Sequence, residues 1–244
     1  MNTDNPLETG DSLFGGIADL ARDSSQRIVV DISTFTHESL LMLLRVLYIT
    51  RQCVNVTLLY SKATEYSIGD RPENKWLSKG VGEIRSVLGF PGRVYPSRAL
   101  HLIVLVGLEY QRTIDIVGRY EPTEISLGYG RTGDLPSTDD IGHHGFWKVH
   151  AIYEGAREFT FSPLDPIAAR RKISDQVKRT DGYNVIVAPM NTKLSTIAAG
   201  LVACENDNVQ LCYAKALVYN YHNYSRPGEE VFVVELEGED RDNL

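Results

Sequence analysis

A carboxamide, a hydroxyl and an ammonium stand side by side in Asn191-Thr192-Lys193, between a β-branched run opening at Asn184 and a small-residue stretch through Gly200. That order predicts a buried strand delivering polar side chains to the N-terminus of a helix. Free N–H groups, the helix dipole and the lysine all favour an anion at such a place. An ordinary helix cap, with Thr192 bonding the first turn and Lys193 in water, accounts for the same residues. In an open α/β sheet this turn lies beyond the carboxyl end of a strand, where ligands bind.

Other loops predicted on that rim carry similar chemistry. One holds Asp31, Ser33, Thr34 and Thr36, a second Gly107, Glu109 and Arg112, and a third Gly128, Tyr129, Arg131 and Thr132. Hydroxyls with two kinds of cation are what a phosphate-bearing ligand requires. Helix capping is the competing reading of each hydroxyl. The segment Tyr213–Gly228 gathers Tyr213, Tyr219, Tyr221 and Tyr224 with Lys215, His222 and Arg226. It reads either as a loop stacking on a base or sugar, or as an aromatic cover over a sheet edge or subunit contact.

Common enzyme signatures are missing. The chain has no phosphate-loop motif and no nucleophile-elbow motif, and Gly128-Tyr-Gly-Arg-Thr-Gly133 has dinucleotide-loop spacing without a following apolar helix. His143-His144 lacks an accompanying carboxylate–histidine pattern and reads as a solvated loop. No motif identifies a cofactor, a metal or a catalytic residue.

The elements that must position these residues alternate. Arg27–Ser33, Val54–Tyr60, Leu100–Gly107 and Asn184–Ala188 are continuous apolar runs, as strands covered on both faces require, and are expected to be neighbours or near-neighbours in one sheet. Helices are predicted over 34–47 with Thr36 as cap, over 109–119, around 143–154, and over 165–179, where Asp165-Pro166 suits a helix start. Further strands are expected at 83–88, 123–127, 209–214 and 231–236. Residues 61–80 read as a long polar connector that lines a site or forms an insertion. The fold class predicted is α/β, Rossmann-like, with a mostly parallel sheet and helices on both faces. Residues 27–236 form its single domain, after a segment 1–26 with a frayed start and a short helix from Leu13 to Leu20, and before an acidic tail, 237–244.

A net charge of −7 argues against binding nucleic acid by charge neutralisation over a broad surface. Cys53, Cys204 and Cys212 are unevenly spaced in apolar surroundings, as reduced core cysteines are. No apolar run reaches membrane-span length and no signal-peptide pattern opens the chain, so a soluble cytoplasmic protein is expected, with no membrane partner.

The Asn191-Thr-Lys193 turn, its flanking strand and helix, and the later strand Val209–Ala214 resemble the C-terminal motif of the CRISPR-associated Rossmann-fold (CARF) sensor domains. Asp31-Ile-Ser-Thr34 is similar to that family's first strand and ligand turn. Met190-Asn191 stand where the family usually has paired glycines. The resemblance implies a homodimeric sensor of a nucleotide-type ligand, such as a cyclic oligonucleotide, acting in antiviral defence through a separate effector protein. Ser33, Thr34, Thr192 and Lys193 would then contact the ligand, joined from the rim reading by Asn191 and Arg131. An enzyme acting on nucleotides or nucleic-acid ends, with Asp31, Glu109 or His222 in acid–base roles, is the alternative. A scaffold subunit with a decayed site is the third reading.

Overall fold

In β4 (Leu100–Leu105) alternate side chains enter two different cores: Ile103 and Leu105 face one, Leu102 and Val104 the other. This two-sided burial is what its unbroken apolar run encodes. The computed structural model describes residues 5–22, 27–53, 56–133, 140 and 142–236. Within them β4 is central in a six-stranded sheet of order β3-β8-β7-β4-β5-β6, made by β3 (Ser78–Pro91), β5 (Glu124–Gly130), β6 (Arg157–Phe161), β7 (Asn184–Pro189) and β8 (Val209–Tyr219). All adjacent pairs are parallel except β3 with β8.

Helices cover both faces. Apolar residues of α3 (Tyr110–Tyr120) and α4 (His143–Ile152) pack with Leu102, Val104 and Ile186. Those of α5 (Pro166–Lys178) and α6 (Lys193–Cys204) pack on the opposite face with Ile103, Leu105 and Val187. Starting at β4 the chain steps outward through β5 to β6. It then returns to β7 beside β4 and leaves the other way to β8. The β4–β7 boundary is therefore the topological switch point, the place in an open α/β sheet where the loops beyond the carboxyl ends diverge and leave a crevice.

The first two strands are not part of this sheet, contrary to the single sheet read from their apolar runs. β1 (Ile28–Asp31) pairs in parallel with β2 (Val56–Tyr66), and β2 pairs antiparallel with β9 (Ser225–Glu235), in a separate three-stranded sheet. The helix between them, α2 (His37–Ile49), explains the arrangement. Leu40, Leu41, Met42, Leu43, Leu44 and Leu47 are all buried, so α2 is apolar around its circumference and needs cover on every side. Its leucines share one core with Leu58 of β2 and Leu194, Ile197 and Ala198 of α6.

Several boundaries differ from the sequence reading. The first helix, α1, spans Pro6–Leu20 with Asn5 as cap, rather than starting at Leu13, and its Ile17 enters the main core. Residues 1–4, 23–26 and 237–244, assigned to the N-terminal segment and acidic tail, lie outside the described residues. β6 was hidden by its composition: only Phe159 and Phe161 are buried in a strand otherwise polar and exposed. Gly128–Gly130, read as loop, belongs to β5, and residues 134–136 of that loop lie outside the described residues.

Residues 61–80 are not a plain connector. Their ends extend β2 and open β3, while 67–77 run beside the 220–224 turn where the chain passes between the two sheets twice. The Ser67 N–H donates to the Tyr224 carbonyl at 2.8 Å, the Ile68 N–H to Asn223 at 3.0 Å, and the Asn220 N–H to Leu77 at 2.9 Å. Asn220 Nδ2 also donates to the Asn74 and Trp76 carbonyls, each at 2.9 Å. These bonds close a corner over the carboxyl end of the switch point.

Candidate functional site

The two loops at the switch point touch. A Cβ on Gly107 would overlap the Met190 carbonyl oxygen, so only glycine lets the β4 and β7 loops come this close. Asn191 fastens them: Nδ2 donates to the Val106 carbonyl at 2.6 Å and Oδ1 accepts the Thr192 N–H at 3.0 Å. Thr192 is a full cap. Its hydroxyl donates to the Pro163 carbonyl at 2.5 Å and accepts the Ser195 N–H at 3.1 Å, while Ser195 closes a capping box. Both side chains are buried and hold the turn together.

Lys193 is different. It is half-buried, makes no ion pair among the described residues, and holds Nζ 5.7 Å from the centre of the Tyr60 ring. A cation over an aromatic face is attracted, but without a counter-ion its burial remains unfavourable. Burial accordingly pulls the ammonium pKa down to about 8.

The first turns of α2 and α6 meet beside this lysine, and the charge of Arg112 in α3 reaches His37 of α2. Thr36 caps α2 by accepting the Ser39 N–H. His37, the next residue, sets Nδ1 2.6 Å from Oγ1 of Thr196 in α6. Burial, with Lys193 and then Arg112 adding like charge, drives the His37 pKa down to about 3, so the ring is neutral at pH 7. From α3, Arg112 pairs with Glu109 at 2.7 Å, bonds the Ala214 carbonyl and stacks 5.6 Å from the Tyr213 ring centre. Its Nε–H, deep in the protein, has no partner among the described residues. Glu109 also accepts the Ser78 hydroxyl.

Tyrosines fill the corner above. The hydroxyls of Tyr213 and Tyr219 are 2.8 Å apart and those of Tyr60 and Tyr66 3.5 Å apart. Burial pushes the phenols of Tyr60, Tyr213 and Tyr224 well above their ordinary range, so all three remain protonated donors. Glu38, at the second position of α2, is buried in a forked pair with Arg85, 2.8 and 2.9 Å from Nε and Nη2.

The other rim residues divide. Ser33 is fixed to β2: its Oγ accepts the Ser61 N–H at 2.8 Å, and its own N–H donates to Asp31 Oδ1. That side-chain and backbone bonding to Ser33 lowers the Asp31 pKa. Thr34 is exposed in the same turn. Arg131 is tied to β6 by its N–H on the Phe161 carbonyl at 2.9 Å, one residue past Gly130, which packs on the Asn191 carboxamide. Of the acid–base candidates, Asp31 is exposed at the end of β1, His222 is exposed in the turn after β8, and Glu109 is bonded to Arg112 and Ser78.

His143 is not in a solvated loop; it is the first residue of α4, with Nδ1 2.9 Å from the Tyr129 hydroxyl, which donates to Asp140 at 2.7 Å. Among the described residues no group of three His, Cys, Asp or Glu side chains is placed to hold a metal ion. Nor is any helix among the described residues long and apolar enough to cross a membrane. Burial holds the Cys204 and Cys212 thiols up at about 12, which makes them inert core residues.

The sequence reading missed His37, Tyr60 and the Glu38–Arg85 pair. His37 and Glu38 directly follow the cap Thr36, a position that was legible. The placement of Tyr60 and Arg85 depends on how two sheets meet, which no local pattern encodes. Comparison with family models and with curated proteins gives no match to this chain.

Proposed function

We propose that the protein is a Rossmann-like sensor or adaptor subunit that binds a nucleotide-type ligand by its phosphate at Lys193 and acts with a separate effector protein. The observation that carries this reading is the half-buried ammonium of Lys193, without an ion-pair partner among the described residues, at the first position of α6 on the topological switch point. Phosphate there would meet Lys193, with the dipole of α6 and the positive charge of Arg112 adding attraction, and would offset the cost of holding a lone cation away from water. A sensor is favoured over an enzyme because Lys193 has no carboxylate at ion-pair distance among the described residues, and Glu109, the carboxylate beside Arg112, is held in a structural pair with it. The ligand would lie where the small and large sheets meet, so its binding energy acts on both. The CARF resemblance adds a homodimer and a role in antiviral defence, and the reduced-cysteine pattern of the sequence supports a cytoplasmic setting.

Calorimetric titration with mononucleotides and with linear and cyclic oligonucleotides tests this. Lys193→Ala should weaken binding by about 1.5–3 kcal/mol, the scale of a charge-assisted hydrogen bond. Affinity should also fall as pH rises through about 8, where the unliganded Lys193 loses its proton. Equal affinity of wild type and variant would remove Lys193 from the site and leave the motif as a helix cap.

A further inference from the structure

A cleft of about 300 Å³ opens beside the cation cluster, lined by Thr36, Glu38, Tyr213, Lys215, Tyr219 and Tyr221 among others. Two of its lining residues adjoin residues of the proposed phosphate site. Tyr213 forms its wall and carries the Arg112 guanidinium on its ring, and Thr36 precedes His37. Its lip is aromatic and uncovered. Tyr221 is 84% exposed and its ring centre lies 6.0 Å from that of Tyr219, with Leu217 70% exposed nearby in β8. Apolar surface of this kind at the mouth of a polar cleft gains by being covered with a flat apolar group. On the wall, Glu38 uses one lone pair of each oxygen on Arg85, which leaves the others to accept N–H groups.

We infer that this cleft takes the nucleobase of the ligand, stacked on Tyr221 and Tyr219, with its N–H edge toward Glu38 and its phosphate toward Arg112 and Lys193. The inference rests on the phosphate-binding reading above and narrows it from phosphate-bearing molecules to those with a base. Stacking on tyrosine accepts any base, so the aromatic lip gives affinity and the carboxylate wall gives the preference for edges rich in N–H groups, guanine before uracil.

The test is titration of the full chain with GMP, UMP, ribose 5-phosphate and inorganic phosphate, using wild type, Tyr221→Ala and Tyr221→Phe. Tyr221 is almost entirely outside the packed core, so neither variant threatens the fold. The expected result is GMP binding about ten-fold or more tighter than ribose 5-phosphate, with that advantage lost in Tyr221→Ala and kept in Tyr221→Phe. If GMP and ribose 5-phosphate bind equally to wild type, or if Tyr221→Ala leaves the GMP advantage intact, the base site is wrong while phosphate binding stands. If none of the four binds at millimolar concentration, the phosphate-binding reading fails and the base site falls with it.

Discussion

Nδ1 of His37 and Oγ1 of Thr196 lie 2.6 Å apart, which joins the first turn of α2 to the first turn of α6. The bond connects the helix that follows β1 of the small sheet to the helix that follows β7 of the large one. It also places an imidazole against Lys193 in surroundings that keep the ring neutral. The contact is therefore both a structural link and a source of pH dependence.

In acid, that link should fail. The folded-state pKa of His37 is held at about 3 by burial, then by Lys193 and Arg112, against 6.5 for an unperturbed histidine. Below 6.5 the unfolded chain takes up a proton that the folded chain refuses. The contribution is complete above 6.5 and is lost as pH falls toward 3. Urea midpoints of wild type should drop over this window by more than those of His37→Gln. Parallel midpoints for the two proteins between pH 6.5 and 4 would show that His37 is not the titrating group.

Lys193 titrates at the other end of the scale, with a folded-state pKa of about 8 against 10.5. Between these values the unfolded chain holds more protons, so stability rises with pH across the window and the penalty is complete below 8. Lys193→Met should therefore stabilise the unliganded protein at pH 7 by about 1–3 kcal/mol, since each decade of shift is worth about 1.4 kcal/mol. The gain should shrink toward zero by pH 10.5. A variant less stable than wild type at pH 7 would contradict an uncompensated buried charge.

Local signals in the sequence located the switch-point loops well, because Asn184–Lys193 combines a two-face-buried run with a cap, and both are properties of neighbouring residues. The cap Thr36, the cap Asp165 and the strands β4 and β7 were legible for the same reason. β1 and β2 stand in a separate sheet because the helix between them, α2, is buried on every side rather than lying on the outside of one sheet. The run Leu40-Leu-Met-Leu-Leu44 has no polar face, and a helix on the outside of a single sheet needs one. Only the meeting of two sheets brings Tyr60 to Lys193, and only the packing of α3 against the distant strand β8 brings Arg112 to Tyr213, so those contacts had no local signature.

Glu38 and Arg85 should show strong coupling. Their side chains are 5% and 15% exposed, and the hydrogen bond that Arg85 donates to Glu38 is the main cause that raises the Arg85 pKa. Removing the arginine strands a carboxylate in the protein, whereas removing both charges does not. Arg85→Met should cost about 3 kcal/mol, and adding Glu38→Gln should recover a large part of that loss. A double variant as unstable as the sum of the two single variants would mean that the pair contributes no interaction energy.

Gly107 and Gly118 provide the sharpest contrast available to a one-methyl change. A Cβ on Gly107 would overlap the Met190 carbonyl and crowd the Asn191 backbone, while one on Gly118, exposed in the last turns of α3, would meet nothing within 4 Å. The backbone around Gly107 has little room to yield, because the Gly142 and Gly145 positions of α4 press on the same loop from the other side. Gly107→Ala should therefore cost about 3 kcal/mol or more and separate the loops that Asn191 joins. Gly118→Ala should instead stabilise by about 0.5–1 kcal/mol, since alanine loses less backbone entropy in a helix. Chemical denaturation of both variants decides the matter: if Gly107→Ala folds with wild-type stability, the close approach of the β4 and β7 loops is not a feature of the folded protein, and the crevice at the switch point is wider than described.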